Sequence, residues 1–163
     1  MPTDVAIETS LTRLGGEARP IAEWTTTFHL ALIVLDPYTY ESAWILDTAG
    51  RILRTFAEAD CRTAFVVTGT QDEARTFLGP WADEFLAFVD EDRSVVKAFG
   101  LESLPAFVHV NQATQIEASA ESWDPDAWRE VAVNLADRMN WHRPNIPDVG
   151  DPRPYRGTPA IPA

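Results

Sequence analysis

Cysteine is almost absent from this chain: Cys61 is the one thiol in 163 residues. No internal disulfide can form, and a single free thiol fits a reducing compartment. Positive charge is scarce as well, with 13 Lys and Arg against 25 Asp and Glu and a formal net charge of −12. That balance argues against a nucleic-acid or anionic-membrane surface, where a basic patch supplies the affinity. An acidic surface favours solubility and suits a basic partner. The longest apolar run, Leu30 to Leu35, is far too short to cross a bilayer. Met1-Pro2-Thr3-Asp4 has no basic region followed by an apolar core, so no signal peptide is expected. These absences point to a cytoplasmic protein with no membrane insertion. A phosphate-binding glycine loop is also missing, since Gly15-Gly16 precedes no strand–turn–helix unit.

What remains is an ordinary globular composition, 45% apolar and 23% charged, in a length that suits one core. Residues 1–27 read as an N-terminal extension, with Glu23 to Thr27 as a short edge strand. Phe28 to Leu35 is a near-continuous apolar run, as expected of a strand buried on both faces. A helix is expected from about Glu41 to Ala59, with Ile45, Ala49, Ile52, Leu53 and Phe56 on one face. Cys61 to Thr68 reads as a second buried strand, and strand–helix–strand predicts a right-handed parallel crossover. Thr70-Gln71-Asp72-Glu73 is a capping box opening the next helix. Phe85 to Val89 is a third strand. Asp90 or Asp92 caps a helix that ends at Gly100. Ala106 to Val110 and Gln115 to Ala120 form an antiparallel pair. Asp124 and Pro125 then open a last helix with Trp128, Val131, Ala132, Leu135 and Met139 as its buried stripe. The main domain is thus 28–140. The tail, 141–163, holds half of the chain's 12 prolines. It should be extended, either disordered or wrapped on its own domain or a partner, with Trp141 and Tyr155 as anchors.

The element order and the Leu104-Pro105 turn before an apolar strand resemble the thioredoxin superfamily. Phe88-Val89-Asp90, the short helix and Phe99-Gly100-Leu101 are similar to its AhpC/TSA and TlpA-type branch. The resemblance implies an α/β, three-layer sandwich with a central mixed sheet of about five strands flanked by helices, followed by the Pro-rich tail. It also implies a cis bond at Leu104-Pro105 and a groove beside it that holds extended peptides. It departs where the family does its chemistry. Family members place redox cysteines at a helix N-terminus after the first buried strand, where free amides stabilise a thiolate. Here that loop reads Asp36-Pro37-Tyr38-Thr39-Tyr40-Glu41-Ser42-Ala43-Trp44. Thr39-Tyr40-Glu41-Ser42 resembles the Thr-x-x-Cys of peroxiredoxins with serine in the cysteine's place. Serine cannot cycle through sulfenate or disulfide.

No other chemistry is apparent in the pattern. His29, His109 and His142 show no zinc-ligand spacing, so no metal or cofactor is expected. Ser42 has no nucleophile motif around it, and no catalytic residue is assigned. The aromatics suggest more. Tyr38, Tyr40 and Trp44 crowd the loop that should face Leu104-Pro105, and such clusters suit binding surfaces. The leading expectation is therefore a redox-inactive protein-binding module, an adaptor, assembly factor or accessory subunit. Its groove would be made by Tyr38, Thr39, Tyr40, Glu41, Ser42, Trp44, Leu104 and Pro105. Its partner would be another protein, with a redox metalloenzyme or a complex subunit as the class that cysteine-less thioredoxin-like chaperones suggest. Two alternatives stand beside it: a one-cysteine reductase or peroxidase working through Cys61, and a homo-oligomer that exchanges its tails.

Overall fold

The computed structural model describes residues 2–162. In chain order the elements are β1 (Thr3–Asp4), β2 (Ser10–Arg13), β3 (Ala18–Pro20), α1 (Ile21–Thr25) and β4 (His29–Leu35). Next come α2 (Tyr40–Trp44), α3 (Leu46–Thr55), β5 (Cys61–Val67), α4 (Gln71–Leu78), α5 (Trp81–Glu84) and β6 (Leu86–Val89). The chain continues with α6 (Ser94–Phe99), β7 (Ser103–Leu104), β8 (Ala106–Val110), β9 (Gln115–Glu121), α7 (Pro125–Met139) and β10 (Thr158–Pro159).

The apolar run of β4 is buried at every position because it lies at the centre of the sheet. It pairs in parallel with β5 and antiparallel with β8, and β5 pairs in parallel with β6. Alternate side chains feed two cores. Ala31, Ile33 and Leu35 pack with Ile52, Leu53, Phe56, Phe107 and Trp128 on one face. Leu30, Leu32 and Val34 pack with Ile21, Trp24, Val95, Val96 and Phe99 on the other. Helices α3 and α7 thus cover one side and α1 and α6 the other, giving three layers around a mixed sheet. Among the described residues, no helix is long and apolar enough to cross a membrane.

The sheet has eight strands rather than about five, in the order β1-β9-β8-β4-β5-β6-β2-β3. The three extra strands all come from the first 27 residues. Glu23 to Thr27 is not an edge strand: α1 takes in Glu23 to Thr25, with Ile21, Trp24 and Thr25 buried at three- and four-residue spacing, and a turn follows at Thr26 and Thr27. The Thr25 and Thr26 hydroxyls donate to the Ala22 carbonyl, so both polar groups are satisfied at the end of the helix.

The helix expected over 41–59 is broken in two at Ile45, whose ψ is −4°. The break turns Ile45 inward, fully buried, while Trp44 stays 57% exposed. The capping box at Thr70 and Glu73 forms as the sequence predicts, and so does the Asp124 cap of α7. Both acidic caps before α6 are used: Asp90 accepts from the amides of Val95 and Val96, and Asp92 from Ser94.

Candidate functional site

Val34 of β4 lies opposite Ala106 of β8. Asp36, just after β4, and Pro105, just before β8, therefore leave the sheet at the same end. The Leu104-Pro105 bond is cis. The Asp36 carboxylate accepts from the Tyr38 amide at 3.0 Å and from Arg93 at 3.0 Å. Thr39 caps α2, its hydroxyl accepting from the Ser42 amide. Ser42 is completely buried, and its Oγ accepts from the Asp36 amide at 2.9 Å. Ser42 thus serves to fold the loop and presents no accessible nucleophile.

The rest of the loop points outward. Tyr38, Tyr40 and Trp44 are 59%, 77% and 57% exposed. Tyr40 and Trp44 stack with ring centroids 6.5 Å apart, and Trp44 meets Tyr155 edge-to-face at 5.5 Å. The Tyr155 hydroxyl donates to the Glu41 carbonyl, and burial pushes its pKa up. The Tyr38 hydroxyl donates to Glu73 at 2.6 Å, a bond that pushes its pKa up to about 12 and holds the Glu73 carboxyl below its ordinary range.

The tail is ordered on its own domain. Trp141 Nε1 donates to the Thr55 carbonyl at 2.6 Å, and Asp151 pairs with Arg51 at 2.7 Å. Tyr155 exchanges both backbone hydrogen bonds with Trp123. The chain then enters the edge beside Pro105. Thr158 and Pro159 pair antiparallel with Leu104 and Ser103, the Ala160 amide donates to the Glu102 carbonyl, and Arg93 donates to the Ala160 carbonyl. The position where the resemblance implies a bound peptide is filled by the chain's own C-terminal strand.

Cys61 lies at the opposite end. It pairs with His29 at the start of β4, six residues from Leu35, or about 20 Å along the strand. It is 8% exposed, and burial pushes its thiol up to about 12.

A second cluster sits at that far end, and sequence spacing gave no sign of it. His29 and His109, 80 residues apart, meet with Nδ1 and Nε2 at 2.8 Å. Asn134 of α7 contacts His109 Nδ1 at 2.8 Å and Glu117 at 3.4 Å. Arg138, one turn further, pairs with Glu117 at 3.2 Å. Burial holds both imidazoles below their ordinary range, His109 at about 4. Burial would raise the Glu117 carboxyl, but Asn111, His109, Asn134 and Arg138 outweigh it and hold it below its usual value. The one sequence-level signal was that both histidines fall in expected strands; that β4 and β8 lie side by side comes from the fold.

No protein-family model matches this chain, and no curated protein does. Solved structures do match. A hypothetical protein from Sinorhizobium meliloti 1021 superposes with a TM-score of 0.70 at 15% identity, covering 98% of this chain and 93% of that one. A secreted Mycobacterium tuberculosis disulfide oxidoreductase homologous to E. coli DsbE gives 0.61 at 15% identity, covering 80% and 96%. A cysteine-to-serine mutant of Xanthomonas campestris peroxiredoxin Q gives 0.65 at 13% identity, covering 85% and 96%. The fold of this chain is thioredoxin-like, of the kind shared by these DsbE and peroxiredoxin Q structures.

Proposed function

We propose that this chain is a redox-inactive thioredoxin-like module that binds another protein, acting as an adaptor, an assembly factor or an accessory subunit of a larger complex. One observation carries the reading. A buried serine stands where the resembled families hold a thiol, and three large aromatic side chains stand exposed on the same short loop. Catalysis of thiol exchange needs an accessible thiolate. Cys61 is buried at the wrong end of the sheet, with its pKa raised rather than lowered. Binding needs rigid rings that lose water on contact, and Tyr and Trp supply most such energy in protein interfaces. The edge beside Pro105 is already paired, so the aromatic face and the tail strand next to it form the contact surface together. The acidic surface favours a basic partner face. A maturing redox metalloenzyme is a class of partner known for cysteine-less thioredoxin-like chaperones, and the single-thiol composition fits a cytoplasmic setting.

The test is affinity capture from native lysate with three proteins: wild type, Cys61→Ser and the Tyr40→Ala/Trp44→Ala double variant. A specific protein should be held by the first two and lost by the third, since each interface aromatic is worth about 2 kcal/mol or ~30-fold in affinity. Peroxide or disulfide turnover by wild type that disappears in Cys61→Ser would overturn the reading.

A further inference from the structure

We propose that His29, His109 and Glu117 form a site for a zinc-like divalent transition-metal ion. They stand on three neighbouring strands, β4, β8 and β9. Each offers one ligand atom, and the three atoms lie within 4.8 Å of one another. Two imidazoles and one carboxylate are a borderline donor set that suits zinc and leaves a position open for water or a further ligand.

The geometry is close to what such an ion needs. Two nitrogens at zinc–nitrogen distance in a tetrahedral arrangement stand about 3.3 Å apart. His29 Nδ1 and His109 Nε2 are 2.8 Å apart, sharing one proton. An ion entering there displaces that proton from His109 Nε2 to the ring's Nδ1, leaving both imidazoles neutral, and parts the rings by about half an ångström. His109 then carries its proton on Nδ1. Asn134 accepts it by turning its amide over, and in doing so releases Glu117 toward the ion. Asn134 is thus a positioning residue for both ligands.

Glu117 is aimed by a device in the backbone. His109 pairs with Ala118, but Val110 pairs with Ile116, so Glu117 is the extra residue of a β-bulge. Without the bulge, strand alternation would turn the side chains at 117 and 118 to opposite faces. The Glu117 side chain is only 9% exposed, yet its Oε2 has no hydrogen-bond partner among the described residues. The cation that pairs with it is Arg138 at 3.2 Å, whose own side chain is 53% exposed toward solvent. Arg138 holds the place of the cation, and a bound ion displaces it. Cys61 neighbours His29 across the β4–β5 pairing, but its sulfur lies against the Phe56 carbonyl and is outside the donor set.

The experiment is titration of chelator-treated, full-length protein with zinc by calorimetry, followed by the visible spectrum of the cobalt(II) form. Wild type should bind one equivalent, and the cobalt spectrum should lack a thiolate charge-transfer band. Glu117→Gln, which keeps the side chain's shape, and His29→Gln should each weaken binding at least ~10-fold. His142→Ala should leave it unchanged, and Arg138→Gln should tighten it. Circular dichroism confirms that each variant is folded. No saturable binding overturns the proposal. So does binding that survives either Glu117→Gln or His29→Gln undiminished, binding lost in His142→Ala, or binding weakened by Arg138→Gln.

Discussion

At Cys61 the sulfur lies 3.7 Å from the Phe56 carbonyl, inside the core made by α3 and the sheet. Desolvation disfavours the thiolate there. The sign of the pH effect follows. The unfolded thiol loses its proton near 9, while the folded one keeps it to about 12. This part of the stability is complete below pH 9 and is lost as pH rises toward 12. Cys61→Ala should therefore lose less Tm than wild type between pH 9 and 11, measured by thermal unfolding. A thiol reagent at pH 8 should label the native protein slowly and the urea-unfolded protein at once. Rapid stoichiometric labelling of the native form would restore the thiol-enzyme alternative. Ser42 was legible in sequence because Thr39-x-x-Ser42 keeps the spacing of the motif it has lost. The His29–His109 pair was not, because the contact depends on which strands lie side by side and in what register.

Local signals fixed most elements well and failed where tertiary packing decided the outcome. The capping box opens α4 because its two hydrogen bonds are local; Thr70→Ala should cost about 1 kcal/mol in chemical denaturation. The threonines after Trp24 read as a strand, but burial of Ile21 and Trp24 against the sheet makes the segment helical. Gly50 shows the conflict of scales most clearly. In sequence it is a weak point of α3, and alanine there should stabilise the helix by about 1 kcal/mol. In the fold the Trp81 ring lies over it, and an added Cβ would stand 2.4 Å from the ring. That ring is pinned by Phe85, by the Arg54 guanidinium at 5.0 Å, and by the indole bond to Asp47. Overpacking costs about 1–3 kcal/mol and outweighs the propensity gain. Gly50→Ala should thus lower the urea midpoint; a higher midpoint would mean that the ring yields.

Across the whole molecule the tail decides whether the edge beside Pro105 is open or closed. Proline content announced an extended segment, yet extended chains look alike in sequence whether they are free or bound, so its course was illegible. Its anchors lie far apart in the chain: Trp141 on α3, Asp151 on Arg51, Tyr155 on Trp123, and Ala160 on Glu102. Removing the whole tail would take away Ile146 and Ala160, which are almost fully buried in the two cores, and would confuse lost binding with lost stability. A sharper change is Gly157→Val. A Cβ at 157 would lie 2.3 Å from the Leu104 carbonyl oxygen. Leu104 is fully buried and its backbone cannot retreat, so the tail strand must leave. Hydrogen exchange followed by NMR should then show the Ala160 amide losing protection, because its acceptor, the Glu102 carbonyl, is no longer alongside. The Tyr155 amide, bonded to Trp123, should keep its protection, because that bridge lies upstream of the clash. Loss at both positions would mean that the tail comes away as one unit from Trp123 onward. Retained protection at Ala160 would mean that the strand shifts without leaving, and that a partner could not take its place by so small a push.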